Sequence, residues 1–236
     1  AIGIGSSSNV IVERWNGDPV EEPYEKVRDV VRFLADALSG EKITRTYDTF
    51  AIDGFRLGVM PEQKPTVLIA ALRQGMLRLA GRESDGAIIN WLSADDVSKV
   101  AGVVRDAAGG VPKEIVARIF CCPSENADIV RGAAKFAIAA YLNVPVYAAF
   151  HQWLGRGDQL QGMWDAWAAG DRKAALAAIP DQVVDDLVVH GSPAQCRAQI
   201  QQYFDNGVTT SSLAILPLDP ALDYWQAVTD LSPSAG

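Results

Sequence analysis

Few residues in this 236-residue sequence have types and spacing that favour chemistry. The two histidines, His151 and His190, have no acidic or cysteine partner at the spacing of a metal site, so we expect no zinc site. Cys121 and Cys122 lie within an apolar run, and Cys196 stands alone. This odd number of cysteines predicts buried, reduced thiols and favours a cytoplasmic protein over a disulfide framework.

A loop of small residues stands near the start of the chain. Gly5, Ser6, Ser7 and Ser8 directly follow the apolar residues 1–4, a pattern that predicts a buried strand running into a loop. By itself, such a run is typical of a turn or a flexible leader.

The composition excludes several functional classes. Hydrophobic residues make up 49% of the chain and charged residues 21%, which is typical of a globular protein with a sizeable core. A formal net charge of −8 argues against nucleic-acid binding, because neutralising phosphates requires a basic face. No apolar run approaches the roughly 18 residues that span a bilayer, so we expect no membrane partner.

The elements that must position any site alternate between strand and helix. Apolar runs predict five core strands at residues 1–5, 66–71, 86–90, 114–122 and 212–216. Helical crossovers between them imply a parallel sheet. A (β/α)8 barrel needs eight strands and about 250 residues, so we expect one partial barrel domain over residues 1–236 that lacks three N-terminal βα units. The surplus residues form a hairpin insertion near 41–56 and a helical excursion near 144–190.

Helix boundaries are predicted from capping residues. Ser93, Ser124 and Ser192-Pro193 are placed to start three helices, and Asn206-Gly207 to end the last of these. We also predict a short helix over residues 76–81 and a closing helix over residues 219–231. Three tryptophans have open interpretations. Trp15 suits either a pocket wall or packing on its own helix, whereas Trp164 and Trp167 suit a core or a subunit contact.

Three segments, taken in order, resemble the luciferase-like monooxygenase superfamily, in particular its actinobacterial-type oxidoreductases that depend on the deazaflavin coenzyme F420. The first runs from Gly3 to Gly17, the second covers residues 67–86, and the third is His190-Gly-Ser-Pro-Ala-Gln-Cys-Arg197. The resemblance implies a TIM (β/α)8 barrel of the luciferase-like type, with strands four to eight represented in this chain.

The resemblance also implies a cofactor site at the carboxyl ends of the strands, where this fold gathers its active sites. Small side chains let a flat tricycle approach, and hydroxyl groups can hold ribityl oxygens. A helix N-terminus offers free N–H groups to a phosphate, and Arg73 would add charge. The implied cofactor-binding residues are Gly5, Ser6, Ser7, Ser8, Ala71, Leu72, Arg73, Gln74, Gly75, Asn90 and Trp91. Two of them also have purely structural interpretations: Arg73 as an exposed cation at a helix start, and Asn90 as the cap of a turn.

The resemblance names no catalytic residue here. An acidic residue that relatives use near the opening loop aligns with Ser8, beside Asn9, and the nearest acid is Glu13. The implied activity is hydride transfer between F420 and a small organic substrate, in a homodimer. One alternative is an FMN-dependent monooxygenase. Another is a non-catalytic fragment or cofactor-binding homologue, which the predicted lack of three strands and its exposed sheet edge favour.

Overall fold

The computed structural model describes residues 1–7 and 10–233 and divides the chain into two compact units. The first unit comprises Ala1–Ile88 and Val100–Ile115, and the second comprises Ile89–Lys99 and Val116–Gly236. The sequence expectation of one domain stays a prediction.

The first unit is built on parallel strands. In chain order its elements are β1 (Ile2–Ile4), a π-helical turn (Val10–Trp15), α1 (Pro23–Ala37), β2 (Ile43–Thr46), β3 (Ala51–Phe55), β4 (Val67–Ala70), α2 (Gln74–Glu83) and the start of β5 (Gly86–Asn90). β1 pairs with β4, with Ile2 opposite Val67, and β4 pairs with β5, with Ala70 opposite Ile88. The strands β2 and β3 form a separate antiparallel hairpin at the position of the predicted insertion.

Two glycines of the first unit allow its elements to approach closely. A Cβ at Gly86 would lie 2.0 Å from the carbonyl oxygen of Glu114, and a Cβ at Gly81 would lie 2.3 Å from that of Val104. Both contacts are with backbone, which cannot move aside as a flexible side chain would. These positions therefore require glycine because of space alone.

Two elements run through both units. α3 (Ala94–Ala107) begins in the second unit and ends in the first, and β6 (Glu114–Cys122) begins in the first and ends in the second. The remaining elements belong to the second unit: α4 (Ala127–Leu142), α5 (Pro145–Leu154), α6 (Gly157–Ala168), α7 (Arg172–Ala177), α8 (Asp181–Leu187), β7 (Val188–His190), α9 (Pro193–Asp205), β8 (Thr210–Ile215) and α10 (Tyr224–Asp230).

In the second unit, β6 pairs in parallel with both β7 and β8. Cys122 lies opposite His190, and Arg118 lies opposite Ser212. One hydrophobic core of this unit joins the carboxyl half of β6 to helices α4, α6, α7 and α8. Both Trp164 and Trp167 pack against that core, in agreement with the core interpretation.

Four boundary predictions need correction. Asn126, not Ser124, caps α4, because its side chain accepts a hydrogen bond from the Ile129 N–H while Ser124 bonds to Asp219. The excursion ends in the short strand β7, which is too brief for a periodic signal. The helix predicted at 76–81 extends over Gln74–Glu83. The closing helix starts only at Tyr224, where Asp223 supplies the cap.

No single helix among the described residues is long and apolar enough to cross a membrane; α4 and α5 would pass only as a pair, and they meet at a bend of 107°.

Candidate functional site

In the first unit, two predicted ligand-binding loops leave neighbouring parallel strands at the same edge. Gly5–Ser7 follows β1, and Ala71–Gly75 follows β4. A Cβ at Gly5 would lie 3.0 Å from the Cβ of Ala70, so this position accepts only a very small residue without displacement. Ser7 has a positive φ of 57°, which turns the loop sharply. Ser8 lies outside the described residues.

The second of these loops ends at the N-terminus of α2. Arg73 is the N-cap residue, exposed and extended (φ −105°, ψ 162°), and within the described part of the chain no side chain caps this helix. The N–H groups of Gln74 and Gly75 therefore point away from α2 without a side-chain acceptor. The positive end of the helix dipole and the Arg73 guanidinium together make this turn a favourable place for an anion.

Several helix starts in the second unit are closed by their own side chains, and α9 and α3 are two examples. At α9, Ser192 and Gln195 form a reciprocal capping box, as the sequence predicted for Ser192-Pro193. At α3, the Ser93 Oγ accepts from the Asp96 N–H at 3.3 Å, and Asp96 accepts from the Ser93 N–H at 2.8 Å. These helix starts have structural roles.

The last two predicted site residues, Asn90 and Trp91, lie in the second unit. The Asn90 Oδ1 accepts a hydrogen bond from the Trp91 N–H at 3.0 Å, so Asn90 does cap the turn that follows β5. Trp91 has φ 52° and is 1% exposed. The Trp91 indole is buried in the core, and this packing does not favour contact between the side chain and a cofactor.

Trp91 is one of four aromatic residues that contact one another in a chain. Trp91 stacks on Phe120 with ring centroids 4.0 Å apart and meets Tyr141 at 5.1 Å. Tyr141 in turn meets Tyr147 edge to face at 5.8 Å. Burial raises the pKa of Tyr147, and a hydrogen bond with Asn90 opposes that shift. We refer to Trp91, Phe120, Tyr141 and Tyr147 as the aromatic cluster.

Arg118 borders the aromatic cluster, and sequence reasoning missed it. Its guanidinium carbon lies 4.8 Å from the centre of the Phe120 ring, and the residue is exposed. One signal was present in the sequence: Arg118 is a full charge in the middle of a parallel strand whose other residues after Glu114 are apolar, and such strands are normally apolar on both faces.

The remaining candidate residues have structural surroundings. Trp15 is 74% exposed, so the alternative in which it packs on its own helix is wrong for this structure. Cys121, Cys122 and Cys196 are buried free thiols, as predicted, and burial raises the pKa of Cys121 to about 12. None of these thiols is therefore activated as a thiolate.

The two histidines differ in their surroundings. The His190 Nε2 lies 2.9 Å from Asp185, which also receives two hydrogen bonds of 2.8 Å from Arg131. The His151 ring is fully buried in the second unit, next to the Trp91 backbone. Burial, aided by the nearby Arg156 charge, lowers the pKa of His151 to about 4.

Parallel strands with helical crossovers, and ligand loops at the carboxyl ends of the strands, are typical of an α/β-barrel protein. Residues 1–210 match the luciferase-like monooxygenase family, and the chain belongs to that family. The predicted fold class is thereby confirmed: this chain carries part of a luciferase-like (β/α)8 barrel.

Three known proteins illustrate the similarity. The 5,10-methylenetetrahydromethanopterin reductase of Methanolobus tindarius is 28% identical over 224 residues, which cover 88% of this chain. This chain spans 65% of the length of that relative. Among solved structures, the coenzyme F420-dependent tetrahydromethanopterin reductase of Methanopyrus kandleri has a TM-score of 0.76 at 16% identity, with 98% of this chain and 71% of the other covered. An F420-dependent secondary alcohol dehydrogenase in complex with an F420–acetone adduct also has a TM-score of 0.76, at 12% identity, with 100% and 69% covered.

Proposed function

We propose that this protein is an oxidoreductase that transfers a hydride between coenzyme F420 and a small organic substrate. One observation carries the proposal. The turn Ala71–Gly75 presents an uncapped helix N-terminus beside an exposed arginine, at the carboxyl end of a strand in a luciferase-like barrel. The two solved structures named above, whose names specify F420, support the choice of cofactor.

The residues of the first unit fit such a cofactor. Free N–H groups at Gln74 and Gly75, with the Arg73 guanidinium, match a ribityl phosphate in charge and hydrogen-bonding type. The hydroxyl groups of Ser6 and Ser7 match ribityl oxygens, and Ser8 belongs to the same proposal. At Gly5, the lack of a side chain lets this loop pass close to Ala70 at the end of β4.

The deazaflavin, when bound, supplies the hydride chemistry. The protein chain binds and orients the cofactor. Arg73 and the start of α2 hold the anionic end, and the small residues after β1 leave space for the ring. Asn90 fixes the turn that follows β5 through its bond to the Trp91 N–H. We assign no catalytic acid or base.

A proline substitution tests the phosphate contact with little effect on the fold. Gln74 is the first residue of α2, where proline is favoured, and Arg73 before it is already extended, as a residue before proline prefers. Gln74→Pro therefore deletes one N–H donor without breaking an intrahelical bond. A lost hydrogen bond to a charged group is worth about 1.5–3 kcal/mol, so we expect F420 affinity to fall about tenfold or more.

The measurement is a titration of F420 fluorescence, with the melting temperature recorded in parallel. Arg73→Gln should also weaken binding, and Arg172→Gln, which removes an exposed arginine from the second unit, should not. If Gln74→Pro and Arg73→Gln both bind F420 as the unchanged protein does, the phosphate does not lie at this turn.

A reduced-FMN monooxygenase is the second candidate, and the family's own description as monooxygenases favours it. The same phosphate contact would serve either cofactor. Titration with both cofactors distinguishes the two: tight FMN binding without F420 binding selects the monooxygenase. Binding of F420 without turnover of any substrate would instead indicate a cofactor-binding homologue.

The proposal includes a homodimer. Sedimentation velocity at several protein concentrations measures the oligomeric state directly, and a monomer at all of them would contradict this part.

A further inference from the structure

Arg118 occupies an unusual place on β6. The strand alternates between two faces, and Ile115, Ala117, Ile119 and Cys121 on one face are all fully or nearly fully buried. Arg118 lies on the other face together with Phe120. Ser212 of β8 is its register partner and therefore points to the same side of the sheet. A charged side chain here must meet solvent or a ligand, because an unpaired charge in a closed core would be strongly unfavourable.

No carboxylate of the described chain pairs with this arginine. Two other arginines of the second unit have clear acidic partners: Arg131 bonds to Asp185 at 2.8 Å, and Arg156 bonds to Asp96 at 2.7 Å. The guanidinium carbon of Arg118 lies over the Phe120 ring, 4.8 Å from its centre. An aromatic ring offers no acceptor oxygen, so the N–H groups of the guanidinium keep their capacity to bind an incoming oxyanion.

The surroundings of Arg118 hold its head group in place. Phe120 is buried and stacks on Trp91, so the ring beneath the guanidinium is fixed. Because Phe120 lies two residues further along the same face, the Arg118 side chain leans toward the carboxyl end of β6. There its charge acts on the Tyr147 hydroxyl, which shares a hydrogen bond with Asn90. The guanidinium is thus one of several polar groups gathered at a rigid aromatic surface.

We propose that Arg118 is a specificity-determining residue that binds an oxyanion, a carboxylate or a phosphate, of the organic substrate. This inference rests on the proposed oxidoreductase function and adds the substrate class. Arginine suits the task because its planar fork binds the two oxygens of a carboxylate or phosphate side by side.

Isothermal titration calorimetry on the protein tests this site with three probes: 4-oxopentanoate, its neutral methyl ester, and inorganic phosphate. We expect at least one of the two anions to bind at least tenfold more tightly than the ester. Arg118→Met should abolish this preference, and Arg118→Lys should keep part of it, because lysine retains the charge but not the fork.

Arg172→Met is the matched control. Arg172 also lies over an aromatic ring, at 3.8 Å from the centre of Trp167, and its loss changes the net charge by the same amount. We expect its anion binding to be unchanged. Equal losses in both variants would show a general electrostatic effect and overturn the assignment, as would wild-type protein that binds neither anion or Arg118→Met protein that keeps the preference.

A second titration, on protein saturated with F420, separates the source of the oxyanion from the function itself. Anion binding that persists beside F420 supports a substrate group. If F420 displaces the anion and Arg118→Met weakens F420 instead, Arg118 holds the cofactor, and the substrate assignment is overturned. If F420 does not bind while an anion still binds through Arg118, the oxidoreductase proposal fails and the anion site stands.

Discussion

Two helix starts, one in each unit, differ in whether a side chain caps them. In the first unit, α2 begins at Arg73 with no side-chain cap among the described residues. In the second unit, α9 begins at Ser192, where the capping box with Gln195 occupies the backbone groups. A closed helix start stabilises the fold, whereas an open one keeps donors available for a ligand. The open start of α2 is compatible with the proposed phosphate contact.

Two ion pairs, one from each unit, differ in burial. In the first unit, Arg45 and Asp36 pair at 2.8 Å with half and a third of their side chains exposed. In the second unit, Arg156 and Asp96 pair at 2.7 Å with only 9% and 11% exposed. Ser93 joins this buried pair through its hydroxyl group, at 3.0 Å from Arg156. Of these two pairs, the buried one should therefore be the more sensitive to loss of a single charge.

The largest expected effect comes from breaking the buried pair. Arg156→Met leaves the Asp96 carboxylate buried without its partner, and we expect a loss of about 3–5 kcal/mol in the free energy of unfolding. Urea unfolding measures it. The matched variant Arg45→Met, at the exposed pair of the first unit, should lose no more than about 1 kcal/mol. Similar losses in the two variants would show that burial does not decide how much these two pairs contribute.

His151 is a buried titratable group of the second unit, and it predicts acid sensitivity. The pKa of His151 is lowered to about 4 in the folded protein, below its unfolded value of 6.5, with Arg156 and Asp96 as the charged groups that face it. The unfolded chain therefore binds the proton first, and stability that is present above pH 6.5 is lost as the pH falls toward 4. The loss is on the order of 3 kcal/mol by pH 4.

Unfolding free energies at pH 7 and pH 4.5 check this. His151→Phe should flatten the pH dependence, because the phenyl ring takes no proton. The control His190→Gln, at an imidazole bonded to Asp185, should retain most of it. An unchanged slope in His151→Phe would place the acid-sensitive group elsewhere.

A smaller effect is expected at the closed helix start. Ser192→Ala removes the side chain that accepts from the Gln195 N–H, and caps of this kind contribute about 1 kcal/mol. Thermal unfolding should show a lower melting temperature with no change in F420 affinity. A change in F420 affinity would mean that the α9 start also serves a ligand.

The smallest effect on stability is expected at the open helix start, and it has the opposite sign. Arg73→Ser places a capping side chain at a residue whose extended conformation already suits one, so the free energy of unfolding should rise by up to about 1 kcal/mol. F420 affinity should fall, because the new cap competes for the same N–H groups and a positive charge is lost. A variant that is more stable and binds F420 as tightly as the unchanged protein would show that the N–H groups at the start of α2 do not hold the cofactor.

Sequence reasoning succeeded where the signal was local. The bounds of β5 and β6 follow from apolar runs closed by glycine, asparagine or proline, and the α9 start follows from Ser192-Pro193. It failed at α4, where Ser124 and Asn126 are both acceptable caps. The choice depends on Asp219, which engages the Ser124 hydroxyl from 95 residues away. Arg118 was missed for a similar reason: its lack of a carboxylate partner becomes visible only when every neighbour is known.

By itself, the sequence determined the alternation of strands and helices, the small residues after β1 and the turn after β4, because backbone propensity and apolar periodicity act over a few neighbouring residues. The family resemblance, which comparison confirmed, also follows from the sequence. Only the tertiary structure decided which helix starts stay open, that the Trp91 indole is buried, and that Arg118 and Ser212 share one face. These properties depend on strand register and packing between residues far apart in the chain, which no local pattern encodes.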